Sequence, residues 1–391
     1  MRDYYCAQKF YWLKIDAEKK TLNSCCKATH ENIDTKWLRQ NPGEIFNTPS
    51  LIQDRQDMLE NKRVSSCENA CWKYEDKNLW SRRLAGSDSH KTKQSLKNYP
   101  TVLDLTLSGE CNLTCSYCCK NYSSAWRNDI KKNGDYEKLN DYGDRYNLNV
   151  LDKTLAKVSQ KERIQTSTYN LIENEIDIMI QNGLTNVFIT GGEPLLDYRF
   201  PSIISKFSKC SSVIVHSGLG VAENLLKRCL ESMSKNKNVS LIVSAESTGQ
   251  NFEFNRYGSS WKKFLHYLEI IKTYGVKISF TMSYANLNVT DFVKFNTLFE
   301  NAHRELNIVY EPAFLSPYNM DDDTKQTIIN DIKKSKFSNT KDAVSIIDIM
   351  HAETTDLLRQ QLSYFIKEFC RRRKTNVDFM PLSFKKWLEL E

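Results

Sequence analysis

Three cysteines, Cys111, Cys115 and Cys118, constrain this chain more than any other feature. Spacings of four and three residues let one short loop wrap three sulfurs around a single soft metal centre. A tetrahedral zinc site asks for a fourth protein ligand, and Cys119 stands too close to Cys118 to serve easily. Three thiolates on a [4Fe–4S] cube leave one iron open to a substrate or cofactor. A zinc knuckle completed by a distant residue is the alternative reading of the same spacing.

The chain has twelve cysteines in 391 residues. A chain of this size needs no disulfide staples and in a reducing compartment would not keep them, so the spacings read first as metal or redox chemistry. Cys210, Cys229 and Cys370 stand alone and read as small buried hydrophobes. The first twenty residues scatter charges among the apolar positions, unlike a secretory signal, and the expectation is a cytosolic protein. No apolar run approaches the length of a membrane span. Lys and Arg outnumber Asp and Glu by 55 to 48, a mild excess of +7. The one dense basic run, Arg371-Arg372-Arg373-Lys374, reads as a solvated helix end.

Hydrophobic periodicity divides the chain. Residues 1–86 read as a small unit: a strand over Phe10–Ile15, a turn, a second strand ending at Cys25-Cys26, and a helix opened by Thr48-Pro49. Residues 87–100 are polar and read as a linker. From Thr101 short apolar strands alternate with helices, six strands in all up to about residue 312. That alternation implies a parallel sheet with right-handed crossovers, its strands buried on both faces. A polar stretch, about 127–165, interrupts it with little periodicity. Residues 313–391 form an extension that reads as helical from about 322.

Here the residues meet a family. The Cys111-x₃-Cys115-x₂-Cys118 loop follows the first strand, with Tyr117 before its last cysteine; Gly191-Gly192-Glu193-Pro194 follows the second. Together they resemble the radical S-adenosylmethionine (radical SAM) superfamily. The resemblance implies an α/β fold, a partial (β/α)6 TIM-like barrel. It implies a [4Fe–4S] cluster whose open iron binds the amine and carboxylate of S-adenosylmethionine (SAM). Reductive cleavage then gives a 5′-deoxyadenosyl radical that abstracts a substrate hydrogen. Such enzymes are oxygen-sensitive and draw electrons from a donor such as flavodoxin or ferredoxin. Two glycines let backbone approach a ligand closely, and Glu193 can anchor an ammonium. The resemblance further assigns Tyr117, with Gly191, Gly192, Glu193 and Pro194, to cofactor binding, Ser244 and Glu246, two apart at the end of the fourth strand, to the ribose and amino-acid moiety, and Arg256 to the ligand carboxylate; a surface ion pair is the competing role for Arg256. Relatives often read T-N-G after the third strand, where this chain has His216-Ser217-Gly218. His216 is thus either a pocket residue or structural. Val309 and Pro312 are at most generic adenine-side contacts.

In the first unit, Cys6, Cys25, Cys67 and Cys71 suit a second metal centre, with Cys26 as the alternative to Cys25. The arrangement resembles the twitch domain, a shortened SPASM domain holding one auxiliary [4Fe–4S] cluster, here N-terminal to the barrel. A group of bacterial and phage radical enzymes shares this organisation, and the likeness extends to Cys71-Trp72, Glu75 and Ser123-Ser124-Ala125-Trp126. The usual C-x₂-C is C-x₃-C here, and a structural zinc is the alternative occupant. The implied activity is oxidation or cross-linking of a peptide. Radical modification of RNA and dehydrogenation of a small molecule are the alternative activities, and a zinc-stabilised binding protein is the non-enzymatic one. Nucleic acid is not favoured, because the basic charge is not concentrated on any recognisable module.

Overall fold

The computed structural model describes residues 3–76, 81–84, 95–148 and 167–390. Most of the expected linker at 87–100 and the 149–165 half of the polar insert lie outside them. The described residues divide into two units, one within 1–108, 159–215 and 235–240, the other within 109–158, 216–234 and 241–391.

The first unit is built on strands β1 (Trp12–Asp16), β2 (Thr21–Asn23), β3 (Glu31–Asn32), β4 (Val102–Thr106), β6 (Asn186–Thr190) and β7 (Ser212–Ser217). They run in the order β3-β2-β1-β4-β6-β7. Asp16 closes the first turn by accepting from the Lys19 N–H at 2.9 Å. Lys20 then takes left-handed backbone at φ +56° and returns the chain antiparallel as β2. β1, β4, β6 and β7 pair in parallel. One row of the register, Ile15, Leu105, Ile189 and Val215, is wholly buried.

Two expectations change here. The N-terminal hairpin does not stand apart as a module over 1–86: β1 hydrogen-bonds directly along β4, whose five residues are all buried and so need a neighbour on each side. In β6 and β7, moreover, burial alternates along the strand, so one face is only partly covered. The helix expected after Thr48-Pro49 spans Pro49–Leu59, with the Thr48 hydroxyl capping the Leu51 N–H.

The second unit carries β8 (Val239–Ser244) beside β10 (Lys277–Tyr284), β10 parallel to β11 (Arg304–Ile308), and a separate two-stranded ladder of β5 (Thr114–Cys115) and β9 (Arg256–Tyr257). β11 is an edge strand, and no closed barrel forms among the described residues. The last strand lies three residues before its expected start at Asn307. The polar insert begins in order rather than irregularity: Ser123 caps a helix over Ser124–Asn133, and Gly134 at φ +86° ends it.

The extension is helical as expected: Asp322–Lys334, Lys341–Met350, Asp356–Arg373 and Leu382–Trp387. Its longest helix inserts Phe365 among Trp126, Tyr136, Tyr146, Phe314 and Phe369, with ring centroids 5.4 to 6.4 Å away. The basic run at the end of that helix departs from the solvated reading. Arg372 pairs with Glu368 at 2.6 Å and Asp129 at 3.2 Å and lies over the Tyr136 ring at 3.9 Å. Arg373 is buried against Phe369, and Arg371, exposed, pairs with Glu368. No helix of the described residues is long and apolar enough to cross a membrane.

Phe365→Ala should empty the centre of this aromatic cluster and destabilise the fold by about 3–5 kcal/mol, read as a lowered midpoint of chemical unfolding. A second expectation concerns acid. Hydrogen bonds from Arg371, then Arg372, hold the Glu368 carboxyl at about 2 against an ordinary 4.5. A depressed folded-state pKa stabilises fully above pH 4.5 and loses that contribution as pH falls towards 2. Thermal midpoints measured down that range should fall less steeply in Glu368→Gln than in the unaltered chain.

Candidate functional site

The loop of Cys111, Cys115 and Cys118 leaves the end of β4 and is largely buried, so its backbone polar groups need protein partners. The following helix supplies several. The Ser124 hydroxyl accepts from the Cys111 N–H at 3.0 Å. Ser123 Oγ donates to the Leu113 carbonyl at 2.9 Å, and Trp126 Nε1 to the Cys115 carbonyl at 3.0 Å. From another side, the Ser116 N–H donates to the Asn255 carbonyl at 2.8 Å. Arg145, in the polar insert, donates from Nη2 to the Tyr117 carbonyl at 3.2 Å. Arg373 donates from Nε to Thr114 Oγ1 at 2.9 Å. Gly258, at φ +103°, brings its Cα against the loop, where a Cβ would stand 2.8 Å from the Asn112 carbonyl oxygen.

The three sulfurs lie close enough for their charges to act on one another. Burial, then Cys119, Cys115 and Cys111, pushes the Cys118 thiol well above the usual range. Cys119 is fully buried. Among the described residues, no three His, Cys, Asp or Glu side chains stand in a metal-holding arrangement. The donor set nevertheless fits a soft metal centre: closely spaced thiols that a metal would deprotonate, in a loop fixed along its length.

On the β5–β9 ladder Cys115 stands opposite Arg256. Arg256 is 3% exposed; its Nη1 lies 4.0 Å from Cys115 Sγ, and its Nη2 donates to Glu246 Oε2 at 3.2 Å. Tyr117 donates its hydroxyl to the other Glu246 oxygen at 2.9 Å. Burial opposes charge on Arg256, but Glu246, Tyr117 and Cys115 outweigh it and its pKa is raised. The sequence-assigned Tyr117, Glu246 and Arg256 are thus brought together, and the arginine's ion pair is buried rather than on the surface. Ser244 is half-buried at the end of β8. Two buried polar atoms nearby, Arg256 Nε and Ser247 Oγ, have no hydrogen-bond partner among the described residues. A polar ligand suits such a place, and the sequence reading missed Ser247.

In the first unit, Gly191-Gly192-Glu193-Pro194 folds back on the strand that feeds the cysteine loop. Gly192 N–H donates to the Ser108 carbonyl at 3.0 Å. Gly191 takes φ +130°, where a Cβ would lie 2.5 Å from that same oxygen, so only glycine fits. Glu193 is 1% exposed and accepts from the Leu195 N–H, capping its own short turn. Arg199 grips Asp197 bidentately, at 2.9 and 2.7 Å, and donates to the Leu107 carbonyl at 3.3 Å. The sequence carries no motif that marks this last contact.

Cys6, Cys25, Cys67 and Cys71 are all buried. Cys6 and Cys67 share an apolar cluster with Met58, Val64 and Trp72. Burial lifts the Cys6 thiol to about 11, and Cys67 and Cys71 add to the rise. Cys26 is shifted the other way, by a hydrogen bond from Cys25 and then by Arg82 and Lys27. Lys9, 1% exposed, pairs with Asp54 at 2.5 Å and donates to Ser66 at 2.8 Å beside these thiols. His216 is half-buried. Cys210 and Cys229 are fully buried, as expected of lone cysteines, and Cys370 is half-buried.

Residues 105–296 match the family model described as the radical SAM superfamily. No curated protein matches the chain. Among solved structures, native anSMEcpe with bound AdoMet and Cp18Cys peptide is similar at 14% identity and a TM-score of 0.38, over 60% of this chain and 59% of that one. Streptococcus suis SuiB bound to S-adenosylmethionine is 13% identical at a TM-score of 0.32, over 77% and 62%. SuiB bound to precursor peptide SuiA is 13% identical at a TM-score of 0.36, over 84% and 70%. The chain thus spans about three fifths of the length of the first of these, 59%.

Proposed function

We propose that this chain, whose residues 105–296 match the radical SAM superfamily model, is a radical enzyme of that superfamily and that Cys111, Cys115 and Cys118 hold its [4Fe–4S] cluster. The observation that carries this reading is the cysteine loop: three cysteines four and three residues apart on a backbone pinned by Ser124, Trp126, Asn255, Arg145 and Arg373. When bound, the reduced cluster and SAM supply a 5′-deoxyadenosyl radical that abstracts a substrate hydrogen. Gly191, Gly192, Glu193 and Pro194 are the residues we assign to the methionine end of SAM. Ser244, Glu246 and Arg256 are assigned to its remaining polar groups, with Tyr117 orienting Glu246. The unpartnered Arg256 Nε and Ser247 Oγ support a polar ligand at that place. Burial of Leu113, Cys115 and Ser116 keeps water from the middle of the loop, which helps protect reactive species from quenching.

We assign Cys6, Cys25, Cys67 and Cys71 to an auxiliary [4Fe–4S] cluster; their common burial and the mutual influence of Cys6, Cys67 and Cys71 support it. For the substrate we propose a peptide, with electrons arriving from a flavodoxin- or ferredoxin-type donor. The burial of the Arg372 and Arg373 side chains speaks against RNA, because the densest basic run then offers a phosphate backbone only Arg371, itself paired with Glu368, and Lys374.

Cys115→Ala should abolish formation of 5′-deoxyadenosine by anaerobically reconstituted protein with dithionite and SAM. Retained product in an iron-loaded variant would overturn the cluster assignment. Cys67→Ala should lower bound iron and sulfide by about half while leaving uncoupled SAM cleavage in place. Unchanged iron would remove the auxiliary centre.

A further inference from the structure

Arg256 stands on the ladder directly across from Cys115, and its two terminal nitrogens face a sulfur and a carboxylate. Nη1 is 4.0 Å from Cys115 Sγ; Nη2 is 3.2 Å from Glu246. The guanidinium is 3% exposed and the carboxylate is fully buried, so water screens neither. Register holds the cation against the sulfur: Thr114 pairs with Tyr257 and Cys115 with Arg256, and Ser116 is bonded to Asn255 by both its N–H, at 2.8 Å, and its hydroxyl, at 2.6 Å.

We propose that the Arg256–Glu246 pair sets the reduction potential of the cluster held by Cys115, with the cation making the cluster easier to reduce and the anion moderating it. This rests on the assignment of that cluster to Cys111, Cys115 and Cys118. Reduction adds one negative charge to a centre already made anionic by three thiolates. A fixed positive charge at the ligand sulfur favours the reduced state, and charge and hydrogen bonding around the sulfurs are established levers on such potentials. Glu246, the guanidinium's counter-ion at 3.2 Å, offsets part of its field, and Tyr117 fixes the carboxylate by donating its hydroxyl at 2.9 Å. Arg256 is thus a positioning and tuning residue for the centre, in addition to any contact it makes with SAM.

The test is an EPR-monitored redox titration of the reconstituted full chain without SAM, following the reduced signal that SAM added afterwards perturbs. Arg256→Gln should move the midpoint to more negative potential, by a tenfold change in the reduction equilibrium or more, which is about 59 mV for one electron. Glu246→Gln, nearly isosteric, should move it the opposite way, and Arg256→Lys should stay near the unaltered chain. Opposite shifts support the proposal, since a merely structural disturbance has no reason to change sign with the charge removed. Equal midpoints, or shifts of one sign, in cluster-loaded variants overturn it. If Arg256→Gln fails to hold a cluster, the positive shift in Glu246→Gln decides, and its absence overturns the proposal. An unaltered chain with no SAM-responsive signal would instead overturn the cluster assignment beneath it.

Discussion

A buried loop of sulfurs keeps its shape only if its backbone amides and carbonyls are satisfied without water. Each such bond contributes about 0.5–1.5 kcal/mol net, while a buried group left without a partner costs about 1–3 kcal/mol. Between Cys111 and Tyr117 the partners come from the first turn of the helix over Ser124–Asn133, from Asn255 before β9, and from Arg145 in the insert. The aromatic cluster around Phe365 fixes Trp126, and Trp126 in turn holds the Cys115 carbonyl. The insert and the C-terminal extension are therefore parts of the cysteine loop's support.

Much of this was legible from residue patterns. The strands β4, β6, β7, β8 and β10 are short apolar runs between helical segments, and all five lie within a residue or two of where the pattern puts them. Thr48-Pro49 announced its helix because capping and the fixed φ of proline are local effects. What escaped was non-local. The β5–β9 ladder has two residues per strand and no periodicity, yet it joins Cys115 to a residue 141 positions away. Arg372 reads as a surface cation until Asp129, 243 positions distant, and the Tyr136 ring are seen around it. β1 reads correctly as a strand, but nothing in its own residues says that β4 is its neighbour.

The candidate site was legible as residue identities and not as an electrostatic arrangement. Tyr117, Glu246 and Arg256 were singled out as ligand contacts, whereas in the structure they bond first to one another. Such a pre-formed network makes chemical sense for a pocket that must present charge in a dry environment. A lone buried arginine carries a desolvation penalty of several kcal/mol, which a well-placed carboxylate largely offsets. The Nε of that guanidinium is left without a hydrogen-bond partner among the described residues.

The two cysteine sets differ in their charged neighbours. Near the N-terminal set, the buried Lys9 is matched at 2.5 Å by Asp54, which leaves a nearly neutral pair beside the Cys6 and Cys67 thiols, whose pKa burial raises. Beside Cys115, the guanidinium stands 4.0 Å from the sulfur itself as well as 3.2 Å from its counter-ion Glu246. Were iron to load at either set, protons would have to leave its thiols, and burial opposes that. Once thiolates form, however, the same burial strengthens every remaining interaction with charge. Were clusters held by both sets, a guanidinium shared between its carboxylate and the ligand sulfur would favour added electrons at the one more than a cation bonded to Asp54 and Ser66 would at the other, and surroundings alone would set the two at different potentials.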